Sequence, residues 1–401
     1  MSNLHSHRGR CLMALASAGC LLIGPLAPAR ASAPDDGEHR AHPRLNDTGL
    51  TRCTRDSRHW TKDCAGTGQD AEFGRDATAR DGLDGHAGFA FRKVCNSGEQ
   101  AGTGTCTKDA ALGAGPDDWG CTYDRATALM WEMKLTDGGL HDAAARYPNV
   151  GDHSAGDASS FVDAVDAAGL CGASDWRLPT TYELQGIVDF GRASPDPSID
   201  AAWFPNTFAE HYWASEPYVG QEATVSWMVS FVMDPRNVDI AGWVRTQPYP
   251  VRLVRDTLAA VAEEVRFRPT LRPDEVLDTR AHLIWRRCAE GWHWDGTTCV
   301  GGLTLYGFQD ALAHAASEAA ASGLPWRVPN AKELHSIVDT SRQHPAIRPH
   351  VFPHTNPDKF WTSTAYAWTA TGGWAVDFDD GGVLAYRSDL VESLRLVRDE
   401  D

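Results

Sequence analysis

The chain has 401 residues, 42% hydrophobic and 23% charged, which suits a folded globular protein of two or three domains, each burying its own core. A formal charge of −17 repels nucleic acid and acidic membrane surfaces, so neither is an expected partner. Fifteen Trp residues imply stable β structure or exposed aromatic platforms.

Residues 1–31 read as an export signal. MSNLHSHRGR is a basic start, CLMALASAGCLLIGPLAP an apolar stretch, and Ala29-Arg30-Ala31 a small-x-small cleavage site ahead of Ser32. Gly24, Pro25 and Pro28 interrupt the apolar run before it reaches the roughly 20 residues of a membrane span. Lipid attachment at Cys20 is a weaker reading, because Ser17-Ala18-Gly19 lacks the usual aliphatic residue. No later run could cross a bilayer, so the mature chain is expected to be exported and soluble, whether periplasmic, on the outer surface or secreted. Losing Arg8, Arg10 and Arg30 with the signal moves the charge from −17 to about −20.

Residues 32–115 are rich in Gly and Asp with little periodicity, which predicts a loop-rich extension pinned by disulfides. Residues 116–257 carry the first ordered unit. ALMWEM alternates like a strand, and SSFVDAVDAAG places Phe161, Ala164, Val165 and Ala168 on one helix face. In WRLPTTYEL (176–184), Thr180 and Glu183 fit a capping box, with Leu184, Ile187 and Val188 as the apolar stripe of a second helix. Trp227, Val229 and Phe231 share one face of a strand. A linker, 258–275, leads to residues 276–401, which repeat the unit. HLIWRR, the helix face Phe308, Ala311, Leu312 and Ala315, WRVPNAKEL (326–334), the strand Trp374, Val376, Phe378 and a second RLVRD follow in the same order. The chain is thus a tandem duplication of the α+β class, each copy with two helices and short antiparallel strands.

Eight cysteines remain in the mature chain: Cys53, Cys64, Cys95, Cys106, Cys121, Cys171, Cys288 and Cys299. An even number in an exported chain argues for disulfides. About 105 pairings are open; loop length and symmetry favour Cys288 with Cys299, Cys121 with Cys171, and neighbours for the early four. No C-x-x-C pair supports zinc.

WGCTYDRATALMWEMK (119–134), GLCGASDWRLPTTYELQGIVD (169–189), YWAS, WMVSF and VRLVR, with RCAEGWHWDGTTCVGG (287–302), WRVPNAKELHSIVD, FWTST and LRLVR, resemble the Lcl C-terminal domain family, named for the end domain of a bacterial collagen-like adhesin. The resemblance covers about two thirds of the chain. It implies a C-type-lectin-like fold, distantly shared with formylglycine-generating enzymes, and binding of sulfated glycans in attachment. Fold alone does not transfer that activity.

The enzyme alternative lacks reactive late cysteines: only Cys288 and Cys299 are available, spaced like a hairpin staple. There is also no G-x-S-x-G elbow, H-E-x-x-H helix or phosphate-cradling loop. No cofactor is expected apart from an optional calcium ion, for which Asp377, Asp379 and Asp380 are weak candidates without EF-hand spacing. Sugars stack on aromatic rings, so Trp243, Tyr249, Trp368, Tyr386 and Tyr218 are the candidate ligand-binding residues. Trp176, Arg177 and Glu183, with Trp326, Arg327 and Glu333, read as scaffold, the Arg forking to a carboxylate. The expected function is binding of an extracellular glycan or protein ligand in adhesion or envelope assembly. An assembly partner without a small ligand is the alternative.

Overall fold

Three strands of the first copy and one from the extension build an antiparallel sheet in the order Val254–Asp256, Leu129–Glu132, Trp119–Asp124, Phe91–Cys95, the last supplied by the extension. The counterpart in the second copy runs in the order Phe267–Pro269, Glu275–Asp278, Leu283–Arg286, Val397–Asp399, with its first strand supplied by the expected linker, which is therefore part of the fold. Each copy's opening Trp strand therefore pairs with its closing strand: Trp131 faces Val254, and Trp285 faces Val397. This computed structural model describes residues 45–400 apart from 56–58, 79–80, 83, 193, 233–238, 259–264, 368–371 and 388. The export signal and Trp368 lie outside the described residues.

The expected α+β class, with two helices plus short antiparallel strands per copy, is overturned. The architecture is β-rich, with 29% strand against 15% helix. One substantial helix stands in each copy, Ala158–Ala168 and Phe308–Ser322, ended by Gly169 and Gly323 in the left-handed conformation. The expected second helix is a short segment, Thr181–Gly186 or Ala331–Ser336. Ile187 and Ile337 already lie at its C-cap with ψ near zero, so Val188 and Val338 fall in the following turn. A stripe at i, i+3 and i+4 is equally well met by one helical turn running into a tight turn, and the shorter solution buries the same side chains.

The copies share a six-stranded antiparallel sheet, ordered Lys359–Ala365, Gly372–Asp377, Val383–Arg387, Ile240–Val244, Val225–Ser230, His211–Pro217. The seam pairs Ile240 with Val383, and the Asp239 N–H donates to the Val383 carbonyl at 2.9 Å. A single core runs through both copies beneath it, from Trp131, Phe204 and Trp227 to Trp285, Phe352 and Trp374. Phe190 meets Trp374 edge-on at 5.2 Å across the junction. Disulfides join Cys53 to Cys64, Cys95 to Cys106, Cys121 to Cys171 and Cys288 to Cys299.

The extension locks onto the second copy. The Lys332 ammonium, fully buried, donates to the carbonyls of Asp47 at 2.6 Å and Gly186 at 2.9 Å, tying extension and both copies together. Asp70 accepts from the hydroxyls of Thr48 at 2.6 Å and Thr364 at 2.8 Å. Burial pushes four carboxyls, Asp70, Glu216, Asp239 and Glu392, up to about 7. Each therefore holds its proton in the folded chain at pH values where the unfolded chain has lost it, so each contribution to stability is lost as pH rises toward 7. Burial beside Arg280 acts oppositely on His335, pushing it down to about 3 and removing stability as pH falls below 6.5. The four carboxyls, with Asp124 also raised by burial, outnumber His335 and the burial-lowered His211, so urea melts should give a higher midpoint at pH 5.5 than at pH 7.5. A midpoint that rises steadily from pH 5.5 to 7.5 would show these carboxyls to be ionised in the fold.

Candidate functional site

The repeated Trp-Arg-x-Pro motif forms a matching clamp in each copy. The Arg177 guanidinium forks onto Glu183 at 2.8 and 2.7 Å and reaches Asp256 at 2.7 Å. Arg327 does the same with Glu333 at 2.6 and 2.7 Å and with Asp399 at 2.8 Å. Thr180 and Asn330 complete capping boxes with the same Glu residues. The motif backbone is bonded in both directions to the closing strand, Arg177 with Val254 and Arg327 with Val397. Trp176 is buried with its indole N–H on the Leu170 carbonyl, and Trp326 lies beneath the guanidinium groups of Arg286 and Arg398. In both clamps the guanidinium–carboxylate bonds are made within the protein.

The three acidic candidates near the end of the sheet are not brought together. Asp377 pairs with Lys359 at 3.0 Å, Asp379 with His344 at 2.5 Å, and Asp380 accepts the Tyr218 hydroxyl at 2.9 Å. Among the described residues no three His, Cys, Asp or Glu side chains gather where they could hold a metal ion. Tyr218 is held between copies: its ring lies 4.8 Å from Trp227, and a Cβ at Gly242 would meet that ring at 2.5 Å. Tyr386 is half-buried and edge-on to Trp361 at 6.4 Å.

Trp243 and Tyr249 do come together. The Trp243 ring stacks on His211 at 6.2 Å and meets Tyr249 edge-on at 6.3 Å, while Tyr249 also contacts Trp213 at 5.7 Å. Trp243 is 47% exposed, whereas the repeated anchor Trp213 is fully buried with its indole N–H on the Tyr147 carbonyl. His211, next in sequence to Glu210, has its imidazole pushed down by burial. Glu210 pairs with Arg146, which lies 5.0 Å from the ring of the exposed Phe208. The arrangement offers one exposed indole, steadied by His211 and Tyr249, as a surface that a sugar ring or an apolar side chain can lie on.

Three of the arginines near the junction of the copies, Arg266, Arg272 and Arg286, are paired with carboxylates. Arg266 is bound to Asp278, Arg286 to Glu290 and Glu318, and Arg272 to Glu275. Two further arginines, each inside the repeated RLVRD, are structural elements that no motif in the sequence singles out. Arg252 is fully buried, donating to the Glu132 carbonyl at 2.6 Å and Thr207 at 2.8 Å; Arg395 donates to the Arg286 carbonyl at 2.8 Å and Thr355 at 2.7 Å. Their recurrence in both copies beside apolar residues was the available signal.

Cys288 and Cys299 are joined in a disulfide, and four such bonds fit folding in an oxidising compartment. Among the described residues no helix is long and apolar enough to cross a membrane. Comparison with curated proteins gives no match. Residues 120–255 and 274–398 each match the Lcl C-terminal domain, together well over half of the sequence. With two copies that repeat one clamp, one closing strand pair and one buried RLVRD arginine, the chain belongs to the Lcl C-terminal domain family.

Proposed function

We propose that this is a secreted or surface-exposed binding protein of adhesion or envelope assembly, and that the face around Trp243 takes a glycan. The supporting observation is the exposure of Trp243 in a chain whose repeated Trp residues are buried, with Tyr249 and His211 fixing its orientation. A rigid exposed indole gives a sugar ring an apolar platform at little ordering cost. A glycan array on the mature protein, with and without calcium, tests this. Binding should survive chelation and fall about tenfold or more in Trp243→Ala, the loss of one well-packed aromatic contact. The exposed Phe208 and Val244 favour a second reading, an assembly surface for another protein. Silence across neutral and acidic glycans, together with a stoichiometric partner from envelope extract, would replace the first reading by the second.

A further inference from the structure

The duplication gives the Trp243 face a counterpart in the second copy. Ile240 pairs with Val383 at the seam, and three residues beyond each stand Trp243 and Tyr386. Tyr249 bridges to Tyr147, whose carbonyl takes the Trp213 indole N–H. Glu392 pairs with Tyr306, whose carbonyl takes the Trp361 indole N–H at 2.8 Å. Glu210 and His211 stand before Trp213 as Asp358 and Lys359 stand before Trp361. The place filled by Trp243, His211 and Tyr249 in the first copy is thus filled by Tyr386, Lys359 and Glu392 in the second. Where the first face is aromatic, the second is acidic.

The charged side chains line up across neighbouring strands. Lys359 lies directly opposite Asp377, and the Ser393 N–H donates to the Lys359 carbonyl at 3.0 Å, which sets Glu392 beside Lys359 on the same side of the sheet. The Lys359 ammonium pairs with Asp377 at 3.0 Å and reaches Asp358 at 3.5 Å. Glu392 is left over. It is 8% exposed, and among the described residues nothing donates a hydrogen bond to it. Its carboxyl oxygens still touch solvent, unlike the unpartnered polar atoms sealed inside the fold. Burial and the nearby Asp358 carboxylate push the Glu392 carboxyl up to about 7. Three carboxyls against one ammonium leave this face short of a cation. Tyr386 is half-buried beside them, its hydroxyl in the field of Lys359, Glu392, Asp377 and Asp358. No three metal-ligating side chains gather there among the described residues. The cation that fits is therefore one held by hydrogen bonds and an aromatic ring, a primary ammonium.

We infer that the second-copy face around Tyr386 binds an amino sugar, its ring against Tyr386 and its primary ammonium on Glu392 and Asp358. The sugar ring as carrier rests on the glycan reading of the equivalent Trp243 face; the need for a cation does not. The two copies thus divide one position in the fold between an uncharged and a charged sugar.

Calorimetric titration of the full mature protein at physiological salt tests the inference with three probes: a β-1,4-linked glucosamine tetramer, its fully N-acetylated form, and tetralysine. The glucosamine tetramer should bind, with the N-acetylated form and tetralysine each about tenfold or more weaker. Glu392→Gln should weaken that binding about tenfold, and Asp358→Asn and Tyr386→Ala about threefold or more each. Gln has the shape of the protonated acid, so Glu392→Gln should keep the fold, and Asp358 is exposed enough for Asp358→Asn to serve as a second variant. Absence of heat with the glucosamine tetramer, or equal binding of its N-acetylated form, would overturn the inference. So would tetralysine binding as tightly, which would mark a site for any cation. Affinity unchanged in all three variants would show mere attraction to the negative net charge and overturn it too. Array binding of neutral glycans that depends on Trp243 is a separate readout, so either reading can fail alone.

Discussion

Replacing Arg327 by Ala should lower the stability of the folded chain by about 3–5 kcal/mol, the range for removing one partner of a buried ion pair. The Arg327 side chain is 10% exposed and so is Glu333, so truncation strands a buried carboxylate that also caps the Asn330 N–H at 2.8 Å. The same change at Arg177 should cost clearly less, since that guanidinium is 36% exposed and water can replace part of what it supplies. Chemical denaturation of both variants checks the order. Equal losses would mean that the clamps work by local packing alone, and a smaller loss at Arg327 would contradict the burial argument. Lys in place of Arg327 should rescue little, because an ammonium cannot fork onto Glu333 while reaching Asp399.

The second large effect is expected at the disulfide joining the strand Trp119–Asp124 to the turn after the first long helix. Cys121 and Cys171 are 50 residues apart, whereas the other three bonds each span 11. On the chain-entropy account a loop of that length contributes about 4 kcal/mol, against about 3 for the shorter ones. A Cys121→Ser, Cys171→Ser double variant should therefore lose more than any other paired replacement. Both sulfurs sit in the small core with Phe161, Val165 and Trp176, so the loss should include packing as well. Urea melts of four paired variants rank the bonds. A greater loss at Cys288–Cys299 would show that local hairpin geometry outweighs loop closure.

Much of this was readable before any coordinates. The duplication, the capping boxes at Thr180 and Asn330 and the buried anchors Trp213 and Trp361 follow from side chains acting on their near neighbours, and local chemistry leaves a periodic trace. The fold class did not follow, because the stripe Leu184, Ile187, Val188 is compatible with a helix of two turns or with one turn and a bend. Only the strand pairing behind it decides, and that pairing joins residues far apart in sequence. The candidate binding residues divided for the same reason. Trp243 and Tyr249 lie on neighbouring chain segments and meet. Tyr218 is drawn away by Asp380, 162 residues later, and no spacing rule within one copy could announce that bond.

The seam at Ile240 and Val383 makes the copies poor candidates for life apart. A fragment ending near residue 257 would present the strand Ile240–Val244 as a bare edge and uncover Phe190, whose ring rests on Trp374. The second copy would keep Lys332 buried without the Gly186 carbonyl to receive it. Each half thus shields in the other what would otherwise recruit stray strands. Once the duplicate sequences had come to depend on that shielding, excision or reshuffling of a single copy became an aggregation hazard, and the pair could be inherited only as one piece.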